Sequence, residues 1–170
     1  RGEIAVRIIW ACKEMNIKTV AIYSEADKDA LHTKLADEAV CVGPAQSSKS
    51  YLNIQNILEA ACRTNCDSVH PGFGFLSENA SFAKMCEESN LKFIGPSYKV
   101  IDLMGNKSHS KELMKNAKVP VVPGSEGCIE NVKDAIKCAN EIGYPVLLKA
   151  SAGGGGKGIR KVEFESEMEN

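Results

Sequence analysis

The residues with the clearest chemical capacity lie in one stretch, Lys149 to Gly158, which reads KASAGGGGKG. Four consecutive glycines, Gly153, Gly154, Gly155 and Gly156, carry no Cβ and cost entropy to order. In exchange they expose a run of backbone N–H groups that can curl around an anion. Lys149 and Lys157 flank the run and add ammonium charge to the amide dipoles. The apolar segment Tyr144 to Leu148 before it reads as a buried strand, and Ile159 to Phe164 after it alternates as a second strand. A mobile clamp over nucleotide phosphates is the functional reading, and a flexible glycine linker is the competing one. A linker is not normally tied into two strands over so few residues. The glycine entropy, left uncompensated, predicts that Gly153 to Gly158 become well ordered only with nucleotide bound.

Lys107 is the second cation of interest, placed between a Gly105-Asn106 turn and the next helix. Alone it reads as a solvated surface lysine. Beside Lys149 and a glycine loop it fits a nucleotide site, where lysine supplies a point charge to phosphate oxygens. A second chemical stretch runs from His70 to Asn79, HPGFGFLSEN. It follows a strand and precedes a helix, and open α/β sheets bind ligands at the carboxyl ends of their strands. Gly72 and Gly74 permit close backbone approach, and either Ser77 or Asn79 can cap the following helix. A purely structural turn explains the stretch equally well. No third glycine completes a dinucleotide fingerprint, and Gly158 rather than Ser or Thr follows Gly156-Lys157, so no Walker A sequence is present. No nucleophile–base pair stands out, and His32 and His109 show no evident partners.

These residues need elements to position them. Apolar Ile4, Ile8, Trp10, Ala11 and Met15 predict an amphipathic helix from Glu3, with Asn16 near its end. Strands are expected at Thr19–Tyr23, Ala39–Gly43, Asp67–His70 and Lys92–Gly95, and helices within 27–38, over 51–65 and from Ser77 to about Glu88. Alternation with short connections predicts a parallel, doubly wound sheet. Such a unit usually opens on a strand, so one is expected just before Arg1. Beyond Pro96 come two helical segments, 98–104 and 108–116, a Pro-rich turn and a helix from Glu130 to Ile142. The boundary is placed at residues 1–104 and 105–170. The final ESEMEN reads as the first turn of a truncated helix, so the chain is expected to stop mid-domain.

Composition narrows the function. Apolar content of 44% with 25% charged residues suits a globular chain. A net charge of −1 without a basic stripe argues against nucleic acid, and no apolar run reaches membrane-spanning length. Seven scattered cysteines read mostly as small buried hydrophobes, which favours a reducing compartment. Trp10 is a core residue by default, but it sits at helical spacing from Arg7 and Glu14 as an interface anchor would.

These motifs resemble those of biotin carboxylases, the ATP-grasp component of acetyl-CoA, pyruvate, propionyl-CoA and methylcrotonyl-CoA carboxylases. The likeness runs along all 170 residues: RGEIAVRI at Arg1, YLNI at Tyr51, HPGFGFLSENASFA at His70, FIGPS at Phe93, LMGNK at Leu103, VPVVPGS at Val119 and GYPVLLKASAGGGGKGIR at Gly143. Other ATP-grasp ligases share the lysines and the glycine loop but not HPGFGFLSEN. The resemblance implies an α/β fold, with a Rossmann-like parallel-sheet pre-ATP-grasp domain followed by the beginning of an ATP-grasp domain. It implies MgATP-dependent activation of bicarbonate, then transfer of the carboxyl group to biotin on a biotin carboxyl carrier protein, with a carboxyltransferase acting next. Lys107 and Lys149 match the family's nucleotide lysines, and Gly153, Gly154, Gly155, Gly156 and Lys157 fall in its lid loop. His70, Gly72, Phe73, Gly74 and Glu78 match the side of the cleft where bicarbonate and biotin react. Family members are far longer, and their Mg²⁺ ligands and catalytic residues lie beyond Asn170. No catalytic residue is therefore expected within these residues, and the fragment alone is expected not to turn over. The helix carrying Trp10 corresponds to one used in homodimers. Acetyl-CoA carboxylase and fatty acid biosynthesis in a bacterial cytoplasm is the leading context. A mitochondrial pyruvate, propionyl-CoA or methylcrotonyl-CoA carboxylase, and a non-catalytic Rossmann-like assembly module, stay open as alternatives.

Overall fold

The computed structural model describes residues 2–105, 107–125, 127–150 and 158–169, with only the backbone of Lys107 and Ser108. The chain divides into two compact units, Arg1–Asp102 and Leu103–Asn170.

In the first unit helix and strand alternate as the sequence predicts. The order is α1 (Glu3–Glu14), β1 (Val20–Ser24), α2 (Leu31–Leu35), β2 (Glu38–Gly43), α3 (Ile54–Arg63), β3 (Ser68–Val69), α4 (Ala80–Glu88) and β4 (Lys92–Phe93). Helix α5 (Tyr98–Gly105) runs across the division. Strand β1 pairs with β2 in parallel, Val20 facing Glu38, and β3 pairs with β4 in parallel, Ser68 facing Lys92. These are two separate two-stranded ladders. The second ladder is short because Pro71 and Pro96, which cannot donate to a ladder, follow its strands closely. Thr19 ties the entries of the first ladder together. Asp37 Oδ2 accepts from its backbone N–H at 2.8 Å and from its hydroxyl at 2.9 Å. Those bonds hold the Asp37 carboxyl below its ordinary range.

Helix α3 divides the core. Its Ile57, Leu58 and Ala61 join Leu76, Phe82, Ala83, Cys86, Leu91 and Phe93 in one cluster, with the Phe82 and Phe93 rings edge-to-face at 5.9 Å. Its Ala60 joins Val42 and Tyr51 in a second cluster. Ile22 on β1 packs against both.

Chain ends of helices were partly legible. Asn16, Asn65 and Asn90 take left-handed backbone angles just past α1, α3 and α4. Ile17, Cys66 and Leu91 then donate back to the carbonyls of Cys12, Ala61 and Cys86, which satisfies helix-end acceptors. Helix α3 starts at Ile54 rather than Tyr51, because the Asn53 side chain accepts from the Asn56 N–H and stops the helix there.

Helix α1 differs from its predicted face. Ile9 is its buried residue at 4% exposure, whereas Trp10 is 50% and Met15 68% exposed. His32 on α2 reaches the start of α1 and sets this side. A Cβ on Gly2, whose φ is +90°, would lie 2.3 Å from His32 Nδ1. His32 is itself buried and its Nε2 bonds the Ile22 carbonyl oxygen at 3.1 Å, and His109 is not without a partner either. The two histidines therefore do not stand alone as the sequence reading had them. The cysteine reading also needs correction. All seven are free, but only Cys86 is buried, while Cys41, Cys62 and Cys128 are exposed. Burial pushes the Cys86 thiol up to about 11.

The second unit holds α6 (Lys107–Asn116), α7 (Val132–Ile142) and an antiparallel hairpin of β5 (Val146–Lys149) and β6 (Ile159–Val162). Asn131 caps α7 by accepting from the Asp134 N–H at 2.9 Å, so this helix starts at Val132. Ala139, Val162 and Met168 form a small core that Val146 and Leu148 also touch. The terminal segment, read from sequence as the first turn of a helix, forms a 3₁₀ turn at Glu165–Glu167. Arg160 Nη2 donates to the carbonyl oxygens of Glu167 and Met168 and secures it to the hairpin.

Candidate functional site

The two stretches singled out by chemistry fall in different units. In the first unit, β3 ends at Val69 and the chain turns through His70 to Asn79 before α4. His70 is exposed, and its Nδ1 accepts from the Gly72 N–H at 3.1 Å. Gly72 and Gly74 have φ of 66° and 72°, and Phe75 follows at 43°. A non-glycine residue there is strained and persists only where its surroundings hold it. Leu76, 6% exposed, roots the turn in the core. Asn79 caps α4 by accepting from the Phe82 N–H at 2.8 Å, which settles the choice between it and Ser77. Phe73, at 72% exposure, and Glu78 are left facing solvent. His70 and Gly72 are thus brought together by a hydrogen bond, while Phe73 and Glu78 are exposed.

Phe75 is held from outside the turn. Its ring stacks on Tyr51 at 5.2 Å between centroids, with 24° between planes. Tyr51 is buried, and its hydroxyl accepts from the Ser24 N–H at 2.8 Å and donates to Asp27 Oδ2 at 2.6 Å. Burial first, then donation to Asp27, raises the Tyr51 phenol above its ordinary value. Ser24 ends β1, so this network occupies the carboxyl end of a strand. The sequence reading missed Tyr51 and Asp27. The available signal was the Asn53 cap, which places Tyr51 outside α3.

In the second unit, Lys149 ends β5 opposite Ile159. The Ala150 N–H donates to the Gly158 carbonyl oxygen at 2.9 Å and closes the neck of the glycine loop. Strand β5 is not buried as predicted. Val146 and Leu148 face the small core, whereas Leu147, 58% exposed, and Lys149 face away. An isolated two-stranded hairpin covers one face only, so the apolar run reads as more buried than it is. Lys149 is accordingly exposed and accessible to an anion. Gly153, Gly154, Gly155, Gly156 and Lys157 lie outside the described residues, as does the expected ordering of that loop. Lys107 is the first residue of α6, and its side chain lies outside the described residues as well. An open cavity of about 380 Å³ beside α7, lined by Cys128, Glu130, Asp134 and Cys138 among others, contains none of the predicted site residues. Among the described residues no group of three His, Cys, Asp or Glu could hold a metal ion, and no helix is long and apolar enough to cross a membrane.

Known proteins are similar to this chain in sequence and fold. Residues 1–101 match the family of the biotin carboxylase N-terminal domain, and residues 106–170 match the ATP-binding domain of the carbamoyl-phosphate synthase L chain. Biotin carboxylase 1 of Bacillus subtilis is 61% identical over the whole chain, which spans 38% of that protein's length. The crystal structure of a Campylobacter jejuni biotin carboxylase–β,γ-ATP complex superposes with a TM-score of 0.94 at 53% identity, covering 99% of this chain and 38% of that one. The biotin carboxylase domain dimer of Hydrogenobacter thermophilus 2-oxoglutarate carboxylase, complexed with MgADP, ADP and bicarbonate, superposes at 0.91 with 54% identity, covering 99% of this chain and 37% of that one. The mixed α/β architecture with its parallel ladders is that of biotin carboxylases, an N-terminal domain followed by the start of an ATP-grasp domain. On the match of its first 101 residues and its identity to these relatives, the chain belongs to the biotin carboxylase family.

Proposed function

We propose that this chain is the N-terminal portion of an ATP-dependent ligase that uses MgATP and bicarbonate to carboxylate biotin on a carrier protein. The observation that supports this best is the hairpin. It presents Lys149 to solvent at a closed neck, four positions before the run of four glycines. Lys149, Lys107, Gly153 to Gly156 and Lys157 would take the phosphates of ATP, the ammonium groups by charge and the glycines by backbone N–H donation. His70, Gly72, Phe73, Gly74 and Glu78 would line the bicarbonate and biotin side. We divide the chain at residues 1–104 and 105–170, close to the compact units. Mg²⁺ would offset phosphate charge during transfer. The described residues offer it no cluster of ligands, so no step here is routed through it.

The acceptor context we favour is acetyl-CoA carboxylase and fatty acid biosynthesis, with the carrier protein and a carboxyltransferase as partners. The exposed Trp10 on α1 is the proposed homodimer contact. Seven free thiols suit a reducing cytoplasm. The test is ADP formation by the full-length protein carrying this sequence. The reading predicts turnover that requires both bicarbonate and biotin. ATP cleavage indifferent to both would contradict it, and no cleavage at all would favour a non-catalytic assembly module.

A further inference from the structure

We propose that Tyr51 is a positioning residue for the His70–Asn79 turn, holding it through the ring stack on Phe75. The inference deepens the proposed function and rests on it, because it takes that turn to line the bicarbonate and biotin side. Three features of the structure converge on this role. The first is that the turn carries a non-glycine residue at positive φ, Phe75 at 43°, a conformation its surroundings must impose. The second is that the Phe75 ring stacks on the Tyr51 ring at 5.2 Å, a contact from outside the turn. The third is that Tyr51 cannot drift. It is buried, accepts from the Ser24 N–H at 2.8 Å and donates to Asp27 Oδ2 at 2.6 Å. Ser24 Oγ donates to the same carboxylate oxygen at 2.6 Å, so Asp27 clamps strand end and ring together. Core packing alone would fill the place with any apolar side chain. A phenol whose hydroxyl both accepts and donates anchors the ring at its outer end, and with it the position of Phe75 and its exposed neighbours Phe73 and Gly74. Misplacement of a positioning surface by about 1 Å costs up to about 100-fold in rate.

The experiment uses the full-length protein and reads KM for free biotin and KM for MgATP separately in bicarbonate-dependent ATP cleavage. Tyr51→Leu and Phe75→Leu, which each remove the stack, should raise the biotin KM by about tenfold or more and leave the MgATP KM within about twofold. The double variant should be no worse than the worse single variant, because both remove one contact. Tyr51→Phe keeps the ring and frees it, and should fall between wild type and Tyr51→Leu. Phe75 is half-exposed, so Phe75→Leu carries the test alone should Tyr51→Leu fail to fold. An unchanged biotin KM in Phe75→Leu would overturn the inference. So would multiplicative effects in the double variant, or parallel rises in both KM values. Absence of biotin-dependent ATP cleavage in the wild type would instead overturn the proposed function, and this inference with it.

Discussion

Single residues in this chain are positioned by bonds that the sequence does not announce. Asp37 is an example, a carboxylate in a polar stretch that accepts from both the N–H and the hydroxyl of Thr19. Those bonds lower its folded-state pKa below the ordinary 3.8. A depressed carboxyl contributes stability above its unfolded value and loses it as pH falls through the folded one. Asp37→Asn, which mimics the protonated acid, should therefore lower the unfolding midpoint at pH 7. The gap to wild type should close as pH drops below about 3.8, and a gap independent of pH would refute this. At the candidate sites the sequence marks residue types that could do chemistry, Lys149 beside a glycine run and the His70–Asn79 turn, while a linker, a surface lysine or a structural turn would use the same types. What holds them was not legible. Tyr51 and Asp27 are 24 positions apart and meet only through the fold.

The elements themselves were legible, but of the asparagines that bound them only Asn16 and Asn79 were read as such. Asn53, Asn79 and Asn131 each cap the helix that follows, and asparagines in the left-handed region close three helices of the first unit. Burial was less legible, since which face is covered depends on neighbours distant in sequence. That is why Ile9 rather than Trp10 is the buried residue of α1, and why β5 exposes Leu147. The entry to α1 gives a test. Gly2 has φ of +90° and no room for a Cβ beside the buried His32 ring, whereas Gly74, at +72°, faces open space. Gly2→Ala should destabilise by about 2–4 kcal/mol through strain plus overpacking. Gly74→Ala should cost only about 1–2 kcal/mol from the backbone angle. Denaturant midpoints of the two variants decide it, and equal costs would show that His32 yields freely.

At the scale of the whole molecule, the alternation of helix and strand predicted parallel pairing, and both ladders of the first unit are parallel. The hairpin after α7 was legible from two short apolar runs around a glycine loop, because few other arrangements bury one side of each. The proposed role of the hairpin is to bind the phosphates of ATP for a biotin carboxylase. Its most direct test is calorimetric titration of the full-length protein with MgATP, beside Lys149→Ala. A charge-assisted contact is worth about 1.5–3 kcal/mol, so saturable binding weakened at least about tenfold by the substitution is expected. Binding of equal strength in both proteins would contradict it.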